Sequence, residues 1–322
     1  AGAYFSYAPW RNFNVQFGHH KHFIGDGYRS MMLSDNTFNY PFLRMNLWLL
    51  KNRIAYSVMY TSFQNLNRLE IASTSEAPFQ KKGGSFHNID VFATEWLKFN
   101  FFQGMIWQTK DENGNRVIDY NMYNPIVLMN PFLFDQDEDH YIILGLGFKV
   151  NTGKRLNFYG QFVPDDLKNW TYGSQLGVSY FPWKALRLMA EWNQASPNTY
   201  RNLNNADHSY THYNQALAHP METGFNEYIV KLDYRYQRFL LSGTASYADF
   251  DENEPRKIDS ELQNVERTNF PAVGPVDWFV GNDFRKSQLR LSAEIAYLVN
   301  PSSNLKVFFN CTAMQLEYRP VE

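Results

Sequence analysis

Three histidines lie close together in residues 18–22 (GHHKH). Imidazole nitrogens are common ligands of transition metals, so this spacing is a first candidate for chemistry. On a β-strand, however, His20 and His22 share one face of the strand while His19 points to the other. The nearest carboxylate is that of Asp26, further along the chain. The pattern therefore predicts neither a metal site nor a bound cofactor.

Two acidic segments have the composition of calcium ligands. Residues 111–115 (DENGN) place oxygen ligands as a calcium loop does, but Arg116 replaces the glycine that such a loop requires and Met122 replaces its final glutamate. A polar turn is the better interpretation. Residues 135–139 (DQDED) are typical of a solvated loop, with extracellular calcium as the alternative. No spacing in the chain brings together a nucleophile, a base and an orienting acid, so the sequence predicts no enzyme.

Aromatic and amide side chains are concentrated in residues 208–220 (HSYTHYNQALAHP). Such a segment suits carbohydrate, because sugar rings stack on aromatic side chains and sugar hydroxyls form hydrogen bonds with amides. The alternative is a surface loop that folds over the end of the protein. The candidate ligand contacts in this segment are Tyr210, His212, Asn214, Gln215 and His219.

A second polar segment, residues 23–30 (FIGDGYRS), has a glycine on each side of Asp26. These glycines provide the backbone freedom of a tight loop. Asp26 and Arg29 are interpreted as a pair inside a lumen or as contacts to a polar ligand, and Asp35 belongs to the same candidate group. The segment lacks the context of a phosphate-binding loop, in which a glycine-lysine sequence follows a strand, so no nucleotide site is predicted.

The elements that position these residues are β-strands, because apolar and polar residues alternate along most of the chain. Runs such as 227–236 (EYIVKLDYRY), 239–247 and 286–297 show the alternation. About 14 such runs, within a range of about 12 to 18, have the roughly 9–11 residues needed to cross a bilayer. The sequence therefore predicts an all-β fold, a transmembrane antiparallel up-and-down β-barrel that forms a single domain over residues 1–322. A change of phase near Ala313 predicts a β-bulge.

The predicted connections alternate in length, with short turns at one end of the sheet and long loops at the other. Short periplasmic turns and long extracellular loops are typical of outer-membrane barrels. The predicted short turns are centred on Asn52, Gly153, Pro182, Gln237 and Pro301–Asn304. The predicted long loops are Gln64–Phe86, Thr109–His140, Ser196–Phe225 and Phe250–Arg285.

Composition agrees with a membrane barrel. The 322 residues include 30 Lys and Arg against 32 Asp and Glu, so no nucleic-acid partner is expected. Aromatic residues make up 17% of the chain, which suits a lipid-facing surface with aromatic girdles. Cys311 is the single cysteine, which excludes an intrachain disulfide. The opening AGAYFSYAPW has no initiator Met, and we expect it to be the start of a mature or truncated product of an exported precursor.

Charged residues on the polar faces of the strands are expected to line a lumen. Their mixed signs are compatible with a pore, and equally with side chains that pair across a small barrel and close it. The predicted lumen-lining residues are Arg44, Arg187, Glu191, Lys231, Asp233, Arg235, Arg290 and Glu294.

Eight segments, in this order, resemble the capsule assembly Wzi family, in the branch of Bacteroidota that includes the gliding motility protein RemB. The resemblance extends from about residue 12 to about residue 310. The segments are Phe23–Ser30 (FIGDGYRS), Leu33–Asn36 (LSDN), Asn39–Leu43 (NYPFL), Asn124–Pro131 (NPIVLMNP), Phe158–Lys168 (FYGQFVPDDLK), Tyr172–Phe181 (YGSQLGVSYF), Ala190–Tyr200 (AEWNQASPNTY) and His212–Pro220 (HYNQALAHP).

The resemblance implies an integral protein of the outer membrane with its long loops facing the cell exterior. The Wzi protein of enterobacteria is a surface lectin that holds capsular polysaccharide, and RemB-like proteins are linked to gliding. The Wzi protein also has more strands and a helical bundle, which this sequence does not predict.

Three functions follow from the sequence. The first is non-enzymatic attachment of capsular or extracellular polysaccharide at the cell surface. The second is a place as a subunit of an envelope assembly for gliding or secretion, and the third is a small-solute channel. The expected partners are outer-membrane lipid, surface polysaccharide and other envelope proteins.

Overall fold

The computed structural model describes residues 2–68, 79–109, 120–126, 140–166, 170–202, 208–250 and 284–320. Strands dominate these ranges, and the helical element described there is a short 3-10 turn at Tyr120–Tyr123. No helix in these ranges is long and apolar enough to cross a membrane. The strands are β1 (Ala3–Trp10), β2 (Phe13–His20), β3 (Tyr40–Leu49), β4 (Ile54–Arg68), β5 (Phe79–Phe92), β6 (Leu97–Gln108), β7 (His140–Thr152), β8 (Leu156–Asp166), β9 (Thr171–Trp183), β10 (Leu186–Ala195), β11 (Thr211–His212), β12 (Gln215–Ala216), β13 (Phe225–Tyr236), β14 (Phe239–Phe250), β15 (Phe284–Asn300) and β16 (Leu305–Pro320).

Fourteen strands form one antiparallel sheet in which each strand pairs with its neighbours along the chain, in the order β1 to β10 and then β13 to β16. β11 and β12 form a separate two-stranded hairpin. The predicted up-and-down antiparallel architecture of about 14 strands is confirmed. β1 and β16 are the edge strands, because within the described residues each pairs with a single neighbour, β2 and β15 respectively.

The two faces of the sheet differ as the alternation predicts. In β13, the outward side chains of Tyr228 and Val230 are 54% and 60% exposed, whereas Glu227 and Ile229 on the inner face are 0% and 1% exposed. Val230 pairs with Ala245 of β14, so the register carries the apolar row from strand to strand. The outer face is therefore an extended apolar surface, and its rows are not buried between two packed sheets.

Short turns and long connections lie at opposite ends of the sheet, as predicted. The strands of one end are joined by residues 11–12, 50–53, 93–96, 153–155, 184–185, 237–238 and 301–304. The connections at the other end are residues 21–39, 69–78, 109–139, 167–170, 196–224 and 251–283. We refer to these two ends as the short-turn end and the long-connection end.

Two predicted connections are placed differently by the structure. Pro182 lies within β9, which continues to Trp183, so the turn is formed by residues 184–185 and begins two residues after Pro182. The predicted long loop Gln64–Phe86 is shorter, because β4 continues to Arg68 and β5 begins at Phe79. These strand ends have polar side chains and two glycines in residues 79–86, which hid their strand character from a pattern of alternation.

The predicted bulge near Ala313 is wrong. Ala313 pairs regularly with Leu291 of β15, and the irregularity in this strand pair lies between Leu298 and Asn300 instead. The change of phase arises because β16 has large apolar side chains on both faces, as at Phe308 and Phe309. Alternation cannot locate a bulge in such a strand.

Candidate functional site

The inner face of the sheet is covered by two connections from the long-connection end. We call their described residues, 21–39, 196–202 and 208–224, the plug. Hydrogen bonds join the two connections to each other: the Ser34 N–H donates to Leu217 O at 2.7 Å, the Tyr200 hydroxyl to Met31 O at 2.7 Å, and the Tyr210 hydroxyl to Met32 O at 2.9 Å. The plug is therefore one packed unit.

Apolar side chains attach the plug to the sheet. Met31, Met32 and Leu33 are fully buried, in one cluster with Phe86 of β5 and Ile143 of β7. Full burial of side chains of this size stabilises a protein by roughly 1.5–3 kcal/mol each. In the described part of the chain, the interior near the long-connection end is thus a packed core.

Two buried glutamates on neighbouring strands bind the polar part of the plug. Glu191 of β10 accepts hydrogen bonds from the backbone N–H groups of Tyr28 at 2.7 Å and Arg29 at 3.0 Å. Glu227 of β13 pairs with Arg29 Nη2 at 3.2 Å and with His219 Nε2 at 2.8 Å, and its side chain is fully buried. Because a buried carboxylate is costly without such donors, the two glutamates fix the position of the plug.

Asp26 forms a second ionic cluster. Its carboxylate lies 2.6 Å from Lys98 Nζ and 2.9 Å from Lys149 Nζ, and Lys98 also contacts Asp90 at 3.5 Å. Burial raises the pKa of Asp26, but the hydrogen bonds and positive charge of the two lysines outweigh burial and hold the pKa below its ordinary value. The predicted pair between Asp26 and Arg29 is not formed, since Asp26 points toward β6 and β7 and Arg29 points toward β13.

Three histidines of the plug have a lowered pKa. Burial, with Arg44 as a smaller cause, lowers the pKa of His22 to about 4, and burial lowers the pKa of His212 to about 4. Burial also lowers the pKa of His219, although contact with Glu227 opposes this shift. These side chains are neutral in the folded plug at neutral pH. His219 Nδ1 accepts the Met221 N–H at 3.2 Å, which leaves its Nε2 to donate to Glu227.

We predict that the plug loosens as the pH falls from about 6.5 to about 4. An unfolded plug takes up protons near the ordinary histidine pKa of about 6.5, whereas the folded plug resists protonation until about pH 4, so stability present above pH 6.5 is lost across this window. Hydrogen exchange of peptides from residues 21–39 and 208–224 should show roughly tenfold or greater loss of protection at pH 5.0 relative to pH 7.5. Equal protection after correction for intrinsic exchange rates contradicts the prediction, and peptides from β14 serve as the control.

The structure divides the predicted ligand contacts into buried and accessible side chains. Tyr210, His212 and His219 are 1%, 2% and 0% exposed, so they pack the plug and present no surface to a ligand. Residues 208–224 fold inward onto the sheet, whereas their composition indicated an exposed loop. Asn214 and Gln215 are half-buried and Asp35 is exposed, and Asp26 and Arg29 are held in the ionic clusters described above.

The accessible members lie in a small surface patch at the long-connection end. Tyr213 and Asn214 form the tip of the β11–β12 hairpin, both with positive φ, 50° and 56°, as a type I′ turn requires. The Phe38 ring is 58% exposed and packs edge-on against Tyr213, with 5.7 Å between ring centroids. Asn36 donates to Ala216 O at 3.4 Å. We call this group the tip patch; it consists of Asp35, Asn36, Phe38, Tyr213, Asn214 and Gln215.

The predicted lumen-lining charges lie on the inner registers of their strands. Lys231 and Asp233 pair within β13 at 3.4 Å, and Arg187 Nη2 donates to Ser179 Oγ at 3.2 Å. Arg235 and Arg290 are exposed, and Glu294 is half-buried. Arg44 lines a polar cavity beneath the plug, and Glu191 binds the plug backbone.

The candidate metal ligands are not assembled into a site in the described ranges. No three His, Cys, Asp or Glu side chains are grouped there in a way that could hold a metal ion. His22 packs edge-on against Phe42, with ring centroids 4.2 Å apart. The acidic segments 111–115 and 135–139 lie outside the described residues, as do most of the predicted loops 109–140 and 250–285.

Sequence reasoning missed several residues that hold the plug. Glu227 has the same strand parity as Lys231 and Asp233, so the alternation contained the signal that places it on the inner face. Lys98 and Asp90 lie in runs that are apolar on both faces, where alternation gives no orientation. Phe38 of the tip patch was also missed, because its neighbours in the sequence do not indicate that its side chain lies on the surface.

No protein-family model matches the chain, and no curated protein matches its sequence. Solved structures do match. Wzi of Escherichia coli, described as an outer-membrane protein involved in group 1 capsule assembly and as a carbohydrate-binding β-barrel, aligns with a TM-score of 0.61 at 14% identity, over 99% of this chain and 67% of its own. OccK10 and OpdQ of Pseudomonas aeruginosa align with TM-scores of 0.51 at 9% and 8% identity, over 96% of this chain and 76% and 74% of theirs.

At these identities the likeness is one of fold. The chain has the antiparallel up-and-down architecture of an outer-membrane β-barrel, and the predicted fold class is confirmed. The alignment with Wzi extends over nearly the whole chain, so the fold resemblance includes the strands that precede and follow each of the two plug connections.

Proposed function

We propose that the chain is an integral, non-enzymatic protein of the outer membrane that holds polysaccharide at the cell surface, with its long-connection end facing the exterior. The observation that supports this function best is the plug, because it fills the interior near the long-connection end with packed side chains and ion pairs. A filled interior suits a barrel that presents a binding surface better than one that conducts solutes.

The apolar outer face supports the membrane location. Exposed aliphatic and aromatic side chains alternate with inward polar ones on β13, β14 and β15, as lipid on one side and a polar interior on the other require. Tyr236, Phe239 and Tyr297 cluster beside the short turns, where an aromatic girdle is expected at a membrane interface.

A charge on the outer face tests the membrane location. Val230 lies midway along β13 and points outward, so Val230→Lys should destabilise the folded protein by about 2–4 kcal/mol in lipid vesicles, the cost of a lysine near the bilayer midplane. The matched control is Ser292→Lys on the inner face of β15, where a lysine meets polar neighbours. Urea titrations in vesicles measure both variants. Equal stability of the two variants argues against lipid contact at Val230.

The tip patch supports polysaccharide as the ligand. It combines the exposed ring of Phe38 and the half-buried ring of Tyr213 with amide and carboxylate groups, the side chains that stack on sugar rings and bind their hydroxyls. Its place at the long-connection end puts it on the outward side of the proposed membrane orientation. Wzi, which shares the fold, is described as carbohydrate-binding.

Glycan binding tests the proposed function. The purified protein should bind at least one member of a panel of immobilised bacterial capsular polysaccharides, and the double variant Phe38→Ala/Gln215→Ala should bind about tenfold more weakly, through loss of one stacking contact and one hydrogen-bonding group. Trp96→Ala removes an exposed ring at the short-turn end and serves as the control. Asn214 is left intact, because its side chain accepts the Leu66 N–H and its φ is positive. Binding by no member of the panel, or equal binding by the double variant, overturns the proposal.

A small-solute channel is the alternative, and the polar cavity beneath the plug favours it. Planar-bilayer recording separates the two functions. The plugged protein should be silent, and steady conductance by the unmodified protein favours the channel.

The edge strands favour a place within a larger envelope assembly. Among the described residues β1 and β16 each pair with one neighbour, and backbone N–H and C=O groups left unpaired in lipid cost several kcal/mol each, so pairing with a strand of an envelope partner would stabilise these edges. We also propose that the chain is related to the Wzi family and to its RemB-like gliding branch in Bacteroidota. The support for this relationship is the eight ordered segments. Purification in mild detergent, followed by identification of co-purifying envelope proteins, tests it.

A further inference from the structure

A cavity of about 150 Å³ lies between the plug and the inner faces of β3 and β5 to β9. Its lining includes Phe23, Gly25 and Asp26 of the plug and polar side chains of the strands. The cavity is partly open, and Phe23 in its lining is 37% exposed. It is smaller than the roughly 300–1,000 Å³ of sites for drug-sized ligands, so an occupant has about the size of a monosaccharide.

The guanidinium group of Arg44 lines this cavity, and its electrostatic partners Tyr40 and Asp90 lie beyond hydrogen-bonding distance. The described residues offer it no hydrogen-bond acceptor within bonding distance and no carboxylate within 4.0 Å. A guanidinium group has five N–H donors in a planar fork that matches a carboxylate. The Arg44 fork is therefore placed to meet an anion that enters the cavity.

The charge of the cavity limits the anion to a single negative charge. Lys98 contacts both Asp26 and Asp90, and Lys149 contacts Asp26, so two lysines and two aspartates balance. Arg44 supplies the one positive charge in excess among these groups. A dianion such as phosphate would face the two aspartates with only one unbalanced cation, whereas a carboxylate matches the excess charge.

The remaining polar lining suits hydroxyl groups. Asn88, Asp90 and Asn100 form a hydrogen-bonded cluster at the cavity, with 2.7 Å between Asn100 Nδ2 and Asn88 Oδ1 and 3.0 Å between Asn100 Nδ2 and Asp90 Oδ1. The Asp90 carboxylate has acceptor capacity beyond these bonds, because a carboxylate offers about four acceptor positions. Tyr159 of β8, whose side chain is 3% exposed, lines another side of the cavity.

We propose that this cavity binds a small hydroxylated monocarboxylate, of the sugar-acid class, with its carboxylate on Arg44 and its hydroxyl groups on Asp90 and the neighbouring amides. The site lies beneath the plug and is separate from the tip patch, so it does not depend on polysaccharide binding at the surface.

Isothermal titration of the detergent-solubilised protein with D-glucuronate, D-glucose, acetate and inorganic phosphate tests the site. We expect D-glucuronate to bind more tightly than the other three. Arg44→Gln should weaken D-glucuronate binding by about ten- to hundredfold, the loss of a charge-assisted contact. Arg44→Lys keeps the charge without the fork and should restore part of the affinity.

Arg187→Gln is the matched control, because Arg187 lies on the inner face of β10 outside the cavity. Its affinity for D-glucuronate should equal that of the unmodified protein, and thermal unfolding confirms that the variants are folded. Three results would overturn the proposal: no D-glucuronate binding by the unmodified protein, unchanged binding by folded Arg44→Gln, or equal binding of D-glucose or phosphate. Each of these results is independent of the glycan panel, so none of them contradicts polysaccharide binding at the tip patch.

Discussion

Glu227→Ala should destabilise the protein by about 3–5 kcal/mol and release the plug. The substitution removes the shared partner of Arg29 and His219 and leaves the charged Arg29 without its buried ion pair. Breaking a buried pair by removing one member costs this much because the other charge stays desolvated. Urea titration in vesicles measures the loss, and hydrogen exchange of residues 21–39 shows whether the plug detaches from the sheet.

A matched control exists on the same strand. Asp233→Ala breaks the Lys231–Asp233 pair, whose side chains are 21% and 34% exposed, and should cost no more than about 1 kcal/mol. Glu227→Gln preserves the shape of the side chain and should fall between the two variants. If Glu227→Ala and Asp233→Ala are equally stable, the buried glutamate does not anchor the plug.

Tyr210→Ala should cost about 3–5 kcal/mol, comparable to removal of a buried phenylalanine ring. The Tyr210 ring is 1% exposed and stacks on Tyr200 with 6.1 Å between centroids, and it also contacts Phe86. Its hydroxyl bonds Met32 O, so the substitution removes both a packed ring and a link between the two halves of the plug. Thermal unfolding of the variant and of the unmodified protein measures the difference in stability.

Tyr210→Phe separates the two contributions. It keeps the ring and leaves Met32 O without its donor, and should cost about 1 kcal/mol. A Tyr210→Ala variant as stable as Tyr210→Phe contradicts a packing role. Any loss of glycan binding by Tyr210→Ala is then an effect of plug packing, since the side chain has no surface for a sugar.

Alternation predicted the sheet well because period-two burial acts on each strand independently. The residues Tyr228, Val230 and Leu232 fall on the outer side of β13 whatever the other strands do, and the register to β14 then follows from the short turn. Alternation did not predict the regular pairing of β16, where Phe308 and Phe309 are both exposed. It also did not predict the start of β5, where glycines and lysines interrupt the pattern.

The plug could not be predicted in the same way, because its contacts join residues far apart in the chain. Arg29 and Glu227 are separated by 198 positions, and Tyr200 and Met31 by 169. Composition placed Tyr210 and His219 on an exposed loop, yet the same aromatic and imidazole groups satisfy a buried polar interior equally well. The sequence therefore identified the segments that form the plug but did not show whether their side chains are buried or exposed.

The ordered segments that resemble the Wzi family now have a structural explanation. Phe23–Ser30 and His212–Pro220 supply the plug itself, and Ala190–Tyr200 contains Glu191, which binds the plug backbone. Phe158–Lys168 contains Gln161, which accepts the Met31 N–H at 2.7 Å. The resemblance therefore describes a plug and its anchors more than a strand pattern.

The long sequence separations inside the plug also set an order of events during biogenesis. The Tyr28 N–H cannot reach the Glu191 carboxylate, 163 positions away, before the seven intervening strands, β3 to β9, have been aligned. Interactions of such high contact order form late and slowly. Residues 21–39 therefore cannot complete their contacts with the sheet until β10 and β13 are in place, so the interior becomes packed late in folding.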